Sequence, residues 1–328
     1  MSMKVLITGH RGFIASNLPR AFAELGHEVI SPSDIHLDFK IKTGEHCVHR
    51  NTEDSWAREL DYHGVDVVIH NAALVGTDVV ALNPSEATLS NVTGTYNICR
   101  AAEKSGAAIL YLGTTVIYDT DRYQDVEITE SSSHAPLTFY GSLKLAGEHV
   151  VRAHSTKWSI VRPLFCYGGV GDNNSLIAKG FFGAAHGKEK IDMFLDPKKI
   201  KDYMRVEDFC DAVATVVDKD LWNDDWNVAA ETPENTGKIV EMMSEISCKD
   251  LKGVVKWHPG TDYLGNHRLS SQKFRDASGW TPKYDLCGGL EKSWDDIQRN
   301  LGSTDYNPLR YLEDAKKRGL DLTQFFNR

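Results

Sequence analysis

The sequence has no hydrophobic run long enough to cross a bilayer and no cysteine pattern typical of a disulfide framework or a zinc site. No apolar run approaches 18 residues, and the first residues lack the hydrophobic segment of a signal peptide. The six cysteines contain no C-x-x-C pair, which is typical of reduced thiols inside a cell. We therefore expect a cytoplasmic protein that neither enters a membrane nor depends on disulfides.

The 13 histidines show no metal-binding spacing either. None of them forms an H-x-x-x-H pair, so His10, His70 and His154 are expected to be loop, turn and surface residues. The formal net charge of −9 argues against general binding of nucleic acid or anionic lipid, although a local basic pocket for a phosphate is compatible with it. We expect no metal, no nucleic-acid partner and no membrane partner.

The chain starts with a strand pattern that runs into a glycine turn and then into a helix pattern. Lys4 to Thr8 has buried-strand character, and apolar residues recur at helical spacing from Phe13 to Leu25. Gly9 supplies the tight turn, and Gly12 allows close approach of a pyrophosphate, which a helix N-terminus binds well. Ala15 takes the place of a third glycine, where only close helix–strand packing is required.

An ordinary strand-to-helix turn has the same glycine spacing, so an acidic residue further on carries weight. Asp34 lies 22 residues after Gly12, where a carboxylate would bind an adenosine ribose through its 2′-hydroxyl. A carboxylate there repels a 2′-phosphate, so NAD is favoured over NADP; alternatively, Asp34 caps a loop. The cofactor residues predicted in this part of the chain are Gly9, Arg11, Gly12, Phe13, Ile14 and Asp34.

Strand and helix patterns alternate through the first half of the chain. Strands are predicted there at residues 65–70, 107–112 and 158–162, and helices at residues 88–104 and 139–153. Such alternation predicts an α/β fold, a Rossmann-type doubly wound parallel sheet with a smaller α/β C-terminal substrate lobe. After Pro163 the regular alternation is lost, although residues 226–229 are predicted to return to the nucleotide lobe as a strand, followed by a helix at residues 236–247. The small residues Asn71, Ala72 and Ala73, directly after a strand, would let a cofactor pass close to the sheet edge.

The length of 328 residues suggests about two domains. We expect an NAD-binding Rossmann domain at residues 1–165, completed by segments near 200–230. Residues 166–328 would form mainly the substrate-binding lobe and a C-terminal tail. In that tail, from Thr304, one short helix is predicted at residues 308–318.

The residues with the clearest chemical potential are Tyr140 and Lys144. On a helix, residues four apart share a face, so the phenol and the ammonium would point into the same space. A nearby ammonium lowers the pKa of a tyrosine, which could then exchange a proton with a substrate hydroxyl during hydride transfer. Thr114, at the end of a predicted strand, could orient the substrate oxygen. Alternatively, Tyr140 is an aromatic surface residue stacked on Lys144.

Together these patterns resemble the extended short-chain dehydrogenase/reductase family, in particular its NAD-dependent nucleotide-sugar epimerase/dehydratase branch. The resemblance covers nearly the whole chain. Its motifs are Thr8-Gly9-x-x-Gly12-Phe13-Ile14, His70-Asn71-Ala72-Ala73, Asn91 to Thr95, Thr114 to Tyr118, Tyr140-x-x-x-Lys144, Arg162-Pro163, Tyr167-Gly168, Lys201 to Asp208 and Gly279-Trp280-x-Pro282.

The resemblance implies a role for several of these positions. Tyr140 would be the acid/base, Lys144 would set its pKa and contact the cofactor ribose, and Thr114 would bind the substrate hydroxyl. Asn91 would be mostly structural, pinning adjacent strands beside the cofactor, and Pro163 would also lie at the cofactor. The family further implies bound NAD, a nucleotide-sugar in the second lobe and a homodimer formed by paired helices.

Departures from the family pattern narrow the reaction. Sugar 4,6-dehydratases carry Asp-Glu directly after the catalytic Thr, where this chain has Thr115 and Val116. GDP-fucose synthase is also similar, but its epimerisation needs a Cys at the place of Val116 and a second-lobe His that the sequence does not locate. What remains is 4-epimerisation through a transient 4-keto sugar, or simple reduction or oxidation.

The substrate pocket also departs from the family. Phe165 occupies the place of an Asn that contacts the substrate diphosphate, which would suit a free sugar or uronate instead. An expected phosphate-binding arginine is missing near Pro259, and Lys256 or Arg268 could replace it or could be a solvated surface charge. The predicted substrate residues are Thr115, Phe165, Asn174 and Arg268.

We therefore expect an NAD-dependent sugar-nucleotide 4-epimerase. The alternative within the same chemistry is an NAD(P)-dependent keto-sugar reductase or a sugar or uronate dehydrogenase. A non-catalytic NAD-binding protein is a third possibility, against which the intact set of Tyr140, Lys144 and Thr114 argues.

Overall fold

A computed structural model describes most of the chain. The described residues are 2–10, 12–30, 64–120, 122–123, 126–169, 171–172, 175–259 and 264–299. Three predicted site residues, Arg11, Asp34 and Asn174, lie outside these ranges, and so does the helix predicted at residues 308–318.

The described residues contain twelve strands and eleven α-helices. The strands, β1 to β12, are Lys4–Thr8, Glu28–Ile30, Val67–His70, Ala108–Leu112, Trp158–Pro163, Phe165–Tyr167, Ile191–Met193, Ile200–Lys201, Tyr203–Arg205, Asp224–Val228, Glu234–Asn235 and Val255–Trp257. The helices, α1 to α11, are Phe13–Glu24, Thr77–Leu82, Pro84–Thr88, Gly94–Ser105, Phe139–His154, Leu176–Ala185, Val206–Asp218, Thr236–Ser247, Leu251–Val254, Gln272–Ser278 and Leu286–Arg299.

Six parallel strands form the central sheet, in the order β10-β5-β4-β3-β1-β2. The register places Val5 opposite both Val29 and Val67. This order, with β1 at the point where the chain reverses its direction across the sheet, confirms the predicted doubly wound architecture. The strand predicted at residues 226–229 joins the sheet as β10, beside β5.

Alternate strand residues pack on opposite faces of the sheet, as the period of a strand requires. On one face, Val5 and Ile7 belong to a core shared with α1 and α7. On the other face, Leu6 and Val68 belong to a core shared with α4 and α5. Helices therefore cover both faces, and every residue of β3 and β4 is buried.

The helix predicted at residues 88–104 is confirmed, but it contains a π-helical turn that the sequence did not indicate. The structure has α3 (Pro84–Thr88), a π-helical turn at Leu89–Thr93 and then α4 (Gly94–Ser105). The wide turn contains Asn91, whose fully buried side chain bonds to the backbone of Leu74. A π-helical turn of this kind often lies at a functional site.

The second half of the chain forms a smaller core around short elements. Three two-stranded sheets, β11-β8, β12-β7 and β6-β9, lie outside the central sheet. Their core includes Tyr167, Phe181 and Met243, from three different elements. The chain then returns to the first core through Phe274 and Trp280, and the domain boundary at residue 165 stays a prediction.

No helix in the described ranges is both long enough and apolar enough to cross a membrane.

The turn between β1 and α1 leaves no room for a side chain at Gly9. Its φ is +70°, in the left-handed region, and a Cβ there would lie 2.9 Å from the Cα of Ala72. Gly26, with φ +78°, has a similar backbone conformation, but a Cβ at that position would meet nothing within 4 Å. Gly26 therefore serves as a control, because it shares the left-handed backbone conformation of Gly9 but not the crowding.

We expect Gly9→Ala to destabilise the protein more than Gly26→Ala does. A left-handed alanine costs about 1–2 kcal/mol, which both variants incur, and crowding against the Ala72 backbone adds about 1–3 kcal/mol in Gly9→Ala alone. Urea unfolding of the two variants measures the difference. Equal losses of unfolding free energy would show that the turn does not require close approach.

Candidate active site

The predicted site residues gather where the strands of the central sheet end. Gly9 follows β1, Asn71 to Ala73 follow β3, Thr114 follows β4, and Phe165 follows β5 after one residue. Because parallel strands end at the same edge of a sheet, the fold brings these segments to one crevice. The structure thus brings to one edge of the sheet several residues that the sequence singled out separately.

A buried chain of hydrogen bonds joins the glycine turn to the next strand. The Thr8 hydroxyl accepts from the amides of Asn71 (3.2 Å) and Ala72 (3.1 Å), and its oxygen lies 2.9 Å from Nδ1 of His70. Nε2 of His70 lies 3.1 Å from the hydroxyl of Thr95. His70 is therefore a buried strand-end residue that connects the cofactor-side loops, and the prediction that it is a turn residue was wrong.

Asn91 holds the loop after β3 in place. Its amide oxygen accepts from Leu74 N at 2.7 Å, and its amide nitrogen donates to Leu74 O at 2.8 Å. We expected this residue to pin adjacent strands; the structure shows instead that it pins the 71–74 loop. Any effect of Asn91 on a cofactor would therefore act through the position of Asn71 to Ala73.

The start of α1 offers backbone donors to an anion. Gly12 is the N-cap residue and has no side chain with which to cap the helix. Its amide donates to Gly9 O at 2.8 Å, so the turn itself is closed by the two glycines. Phe13 and Ile14 form the first helical turn and are half-buried. Exposed N–H groups at such a terminus attract a phosphate.

Tyr140 lies close to Thr114 because α5 begins against the turn that follows β4. The hydroxyl of Thr138 caps this helix by accepting from Gly141 N at 3.1 Å. A Cβ at Gly141 would lie 2.5 Å from the carbonyl oxygen of Val116, so the helix and the turn touch through backbone. Burial raises the pKa of Tyr140 to about 12, and the hydrogen bond with the Thr114 side chain opposes this.

Lys144 shares the face of α5 with Tyr140, as its spacing predicts, but its ammonium is held elsewhere. Nζ donates to Leu112 O at 2.6 Å and lies 4.0 Å from the ring centroid of Tyr111. Burial lowers the pKa of Lys144 to about 7, opposed by the charge of Glu148. We expected Lys144 to lower the Tyr140 pKa; instead burial dominates both groups and moves both towards their neutral forms.

One helical turn beyond Lys144, a buried ion pair ties α5 to β5. Glu148 and Arg162 are both 0% exposed, and the guanidinium donates two bonds of 2.8 Å to the carboxylate. Arg162 also donates to the hydroxyl of Tyr118, which donates to Asn227 at 2.8 Å. Removing one partner of such a pair leaves an uncompensated buried charge, so this contact locks the position of the helix that carries Tyr140.

The predicted substrate residues are only partly brought together. Thr115 is buried in the 3₁₀ turn Thr115–Ile117, directly after Thr114. Phe165 is half-buried, with its ring centroid 5.4 Å from that of Tyr203. Arg268 is exposed, and its carbonyl accepts from Ile128 N. Pro163, predicted at the cofactor, is the last residue of β5.

Lys201 and His267 also lie near Phe165, and neither was among the predicted site residues. The ring centroid of Phe165 is 5.4 Å from Lys201 Nζ and 5.1 Å from the His267 ring centroid. The sequence placed Arg268 in this region, yet the side chain that points inward there belongs to its neighbour. Alternation in the extended segment, with His267 and Leu269 buried and Arg268 exposed, is the signal that could have identified it.

The family model of the NAD dependent epimerase/dehydratase family matches residues 5–229. This stretch contains the glycine turn, Thr114, Tyr140, Lys144 and Phe165, and more than two thirds of the chain lies within it.

The curated relatives have more than one activity. A dTDP-4-dehydrorhamnose reductase of Shigella flexneri is 28% identical over 194 residues, covering 59% of this chain and 60% of the relative. A dTDP-glucose 4,6-dehydratase of Xanthomonas campestris pv. campestris is 23% identical over 329 residues, covering 88% of this chain and 92% of the relative. The first match thus spans only about three fifths of the relative's length.

Solved structures share the fold. The UDP-glucose 4-epimerase of Thermotoga maritima, solved with UDP-glucose, superposes with a TM-score of 0.77 at 21% identity. The match covers 91% of this chain and all of the other.

The depressed pKa of Lys144 predicts a pH-dependent cost to stability. The folded protein holds this proton less tightly than the unfolded chain, whose lysine keeps its ordinary pKa of 10.5. Unfolding therefore takes up a proton between about pH 7 and 10.5, so the contribution to stability grows as the pH rises through that window and is lost as it falls.

We expect the unfolding free energy of wild type minus that of Lys144→Met to fall by on the order of 2 kcal/mol from pH 9 to pH 6. Urea unfolding at several pH values measures this difference. Lys104→Met, at an exposed position in the last turn of α4, controls for the loss of a surface lysine. A difference that stays constant with pH would contradict a neutral buried Lys144.

Proposed function

The chain belongs to the NAD dependent epimerase/dehydratase family, and we propose that within this family it is a sugar-nucleotide 4-epimerase. Membership makes it an enzyme of the nucleotide-sugar epimerases, dehydratases and reductases that use NAD. The observation that carries the finer proposal is the site itself: a tyrosine, a lysine and a threonine stand together, without the acidic pair that dehydration needs.

The residues at the sheet edge fit NAD. The Gly9 turn packs so closely on Ala72 that a Cβ would fill the gap, and the first turn of α1 presents backbone donors beside it. We propose that these segments hold the pyrophosphate, with Asn71 to Ala73 along the adjoining edge and Lys144 at the ribose. NAD, when bound, supplies the acceptor and donor of a hydride.

In the proposed reaction, Tyr140 moves the proton of the substrate C4 hydroxyl. In its phenolate form Tyr140 takes this proton as the alcohol becomes a ketone, and the resulting phenol returns it when the ketone is reduced from the opposite face. Thr114, which bonds to the phenol, orients the same substrate oxygen. Thr114 and Tyr140 lie on segments that pack closely through backbone, since a Cβ at Gly141 of α5 would lie 2.5 Å from the carbonyl oxygen of Val116.

Dehydration is a poorer fit to this site. Eliminating water requires an acid and a base at the neighbouring sugar carbons, in addition to the group that acts at C4. Directly after Thr114, the chain has Thr115 and Val116, neither of which exchanges a proton readily near neutral pH. The similarity to dTDP-glucose 4,6-dehydratases therefore supports the family and not that activity.

A one-way reductase or dehydrogenase is the second candidate. Several of the curated relatives are reductases, such as the dTDP-4-dehydrorhamnose reductase of Shigella flexneri. The same Tyr140, Lys144 and Thr114 would serve a single hydride transfer. Phe165, in place of the family's Asn, leaves open a substrate without a diphosphate at this point.

For the quaternary state we propose a homodimer, as the resemblance implies. Leu89, before α4, and Phe139, at the start of α5, are large apolar side chains that are 51% and 43% exposed. Pairing of these neighbouring helices with those of a second copy would cover them.

An epimerase recycles its cofactor, so turnover should leave no net NADH. We expect purified protein to release NAD on denaturation and to convert a nucleotide-sugar into its C4 epimer without a change in absorbance at the NADH band. Chromatography of the sugar products, with UDP-, dTDP- and GDP-linked hexoses as probes, measures the conversion. Stoichiometric formation or consumption of NADH would establish the reductase or dehydrogenase instead.

Replacement of Tyr140 by Phe should abolish the proton transfer and leave the binding surface intact. We expect kcat to fall by about 10²–10⁴, with NAD affinity within about twofold of wild type, because the ring and its packing are kept. Phe139→Tyr, which adds a hydroxyl on the exposed neighbour, is the matched control. Full activity in Tyr140→Phe would refute the proposed mechanism.

A further inference from the structure

His267 is a fully buried side chain with an unmet hydrogen-bonding group. The residue is 0% exposed, and its Nε2 has no hydrogen-bond partner among the residues that the structure describes. A buried polar atom without a partner costs about 1–3 kcal/mol. Neither NAD binding nor proton transfer, as proposed above, uses this nitrogen.

The contacts of the ring define which nitrogen carries the proton. Nδ1 lies 3.0 Å from the carbonyl oxygen of Gly265, and a carbonyl can only accept, so Nδ1 is the protonated nitrogen. Burial and the charge of Lys201 lower the pKa of His267 to about 3, so the ring is neutral. Nε2 therefore presents a lone pair and needs a donor.

The His267 ring lies beside the region predicted for the substrate. The His267 ring stands edge-to-face on Phe165, with 5.1 Å between centroids, and Phe165 directly follows the sheet edge where Thr114 and Tyr140 lie. The flanking residues attach to the loop after Thr114: Gly265 N donates to Thr120 Oγ1, and Arg268 O accepts from Ile128 N.

The nearby cations do not compete for this lone pair. Lys199 donates to Leu264 O at 2.6 Å, and Lys201 donates to the carbonyls of Leu264 and Gly265 at 3.3 Å. A phosphate or carboxylate oxygen beside Nε2 would be unfavourable, because both atoms are hydrogen-bond acceptors. A hydroxyl group, in contrast, can donate a hydrogen bond to Nε2. The chemistry of the position thus favours a neutral donor over a phosphate or a carboxylate.

We propose that His267 is a specificity-determining residue that accepts a hydrogen bond at Nε2 from a hydroxyl group of the sugar, with Phe165 packed behind its ring. This inference rests on the proposed function to the extent that the substrate is a sugar, but it does not depend on whether the reaction is epimerisation. It gives Phe165 a role as well, because its ring packs against that of the histidine.

A pair of amide variants separates ligand binding from a purely structural role. The amide nitrogen of Asn lies near the position of Nδ1, so His267→Asn can keep the bond to Gly265 O while removing the acceptor at Nε2. Glutamine reaches further, so His267→Gln can keep an acceptor near Nε2 while losing the Gly265 bond. If Nε2 binds the ligand, His267→Asn should lose more ligand affinity than His267→Gln. If the histidine is purely structural, the loss should be equal in both variants or larger in His267→Gln.

The experiment measures Kd by calorimetry on NAD-loaded protein, with a sugar-bearing probe and its sugar-free counterpart. UDP-glucose with UDP, dTDP-glucose with dTDP and GDP-mannose with GDP form such pairs, and free glucose and glucuronate test a substrate without nucleotide. We expect His267→Asn to lose about tenfold in affinity for the sugar-bearing probe that wild type binds. His267→Gln should stay within about threefold, and the affinities for NAD and for the nucleoside diphosphate should not change.

Equal losses of affinity for the sugar-bearing probe in both variants, or a larger loss in His267→Gln, would overturn the inference. His267 would then have only a structural role. The proposed function fails separately, in turnover: a wild-type protein that binds a sugar nucleotide but makes stoichiometric NADH is no epimerase, whatever the ranking of the variants. Absence of binding by every sugar-bearing probe would overturn both. As an independent check, ¹⁵N NMR of the imidazole should show the Nδ1–H form at pH 7, and an Nε2–H or doubly protonated ring would refute the assignment.

Discussion

Backbone contact between Gly9 and Ala72 is the constraint on which the rest of the site depends. The two strands that end there, β1 and β3, are neighbours in the sheet, so their following loops must share one small space. A glycine solves the problem because it has no Cβ and tolerates φ of +70°. The Thr8 hydroxyl then accepts hydrogen bonds from the amides of Asn71 and Ala72, and His70 continues this chain of hydrogen bonds to Thr95. The shape of the Gly9 turn and of the loop after β3 thus depends on close backbone packing and on a buried chain of hydrogen bonds.

The chemistry of α5 depends on burial more than on the charge of its neighbours. Tyr140, Lys144 and Glu148 follow one another along one face, and a simple electrostatic argument makes the lysine activate the tyrosine. In the folded protein, burial raises the pKa of Tyr140 to about 12 and lowers that of Lys144 to about 7. The only one of the three with a full counter-charge is Glu148, which pairs with Arg162. Burial therefore favours the neutral forms of Tyr140 and Lys144, and the buried ion pair between Glu148 and Arg162 serves to hold the helix in place.

Much of the fold and of this site could be predicted from the sequence because the relevant signals are local. Short runs of strand-forming apolar residues located the strands of the central sheet to within a few residues, and the four-residue spacing located the face shared by Tyr140 and Lys144. The failures were at positions where distant contacts decide. The π-helical turn at Leu89–Thr93, where Asn91 reaches the backbone of Leu74, 17 residues away, was not predicted within the helix at residues 88–104. His70 was expected in a turn, but it is buried between two threonines from different elements.

By itself, the sequence determined the family through the resemblance of its ordered motifs, and it determined the doubly wound sheet and the shared helix face of Tyr140 and Lys144 through periodicity and spacing along the chain. Only the tertiary structure decided which side chains surround Phe165. Local reasoning selected the cation Arg268, but the extended backbone alternates, so Arg268 is exposed and His267 is the residue directed inward. The protonation of that ring follows from the carbonyl of Gly265 and the charge of Lys201, which folding brings together from separate parts of the chain.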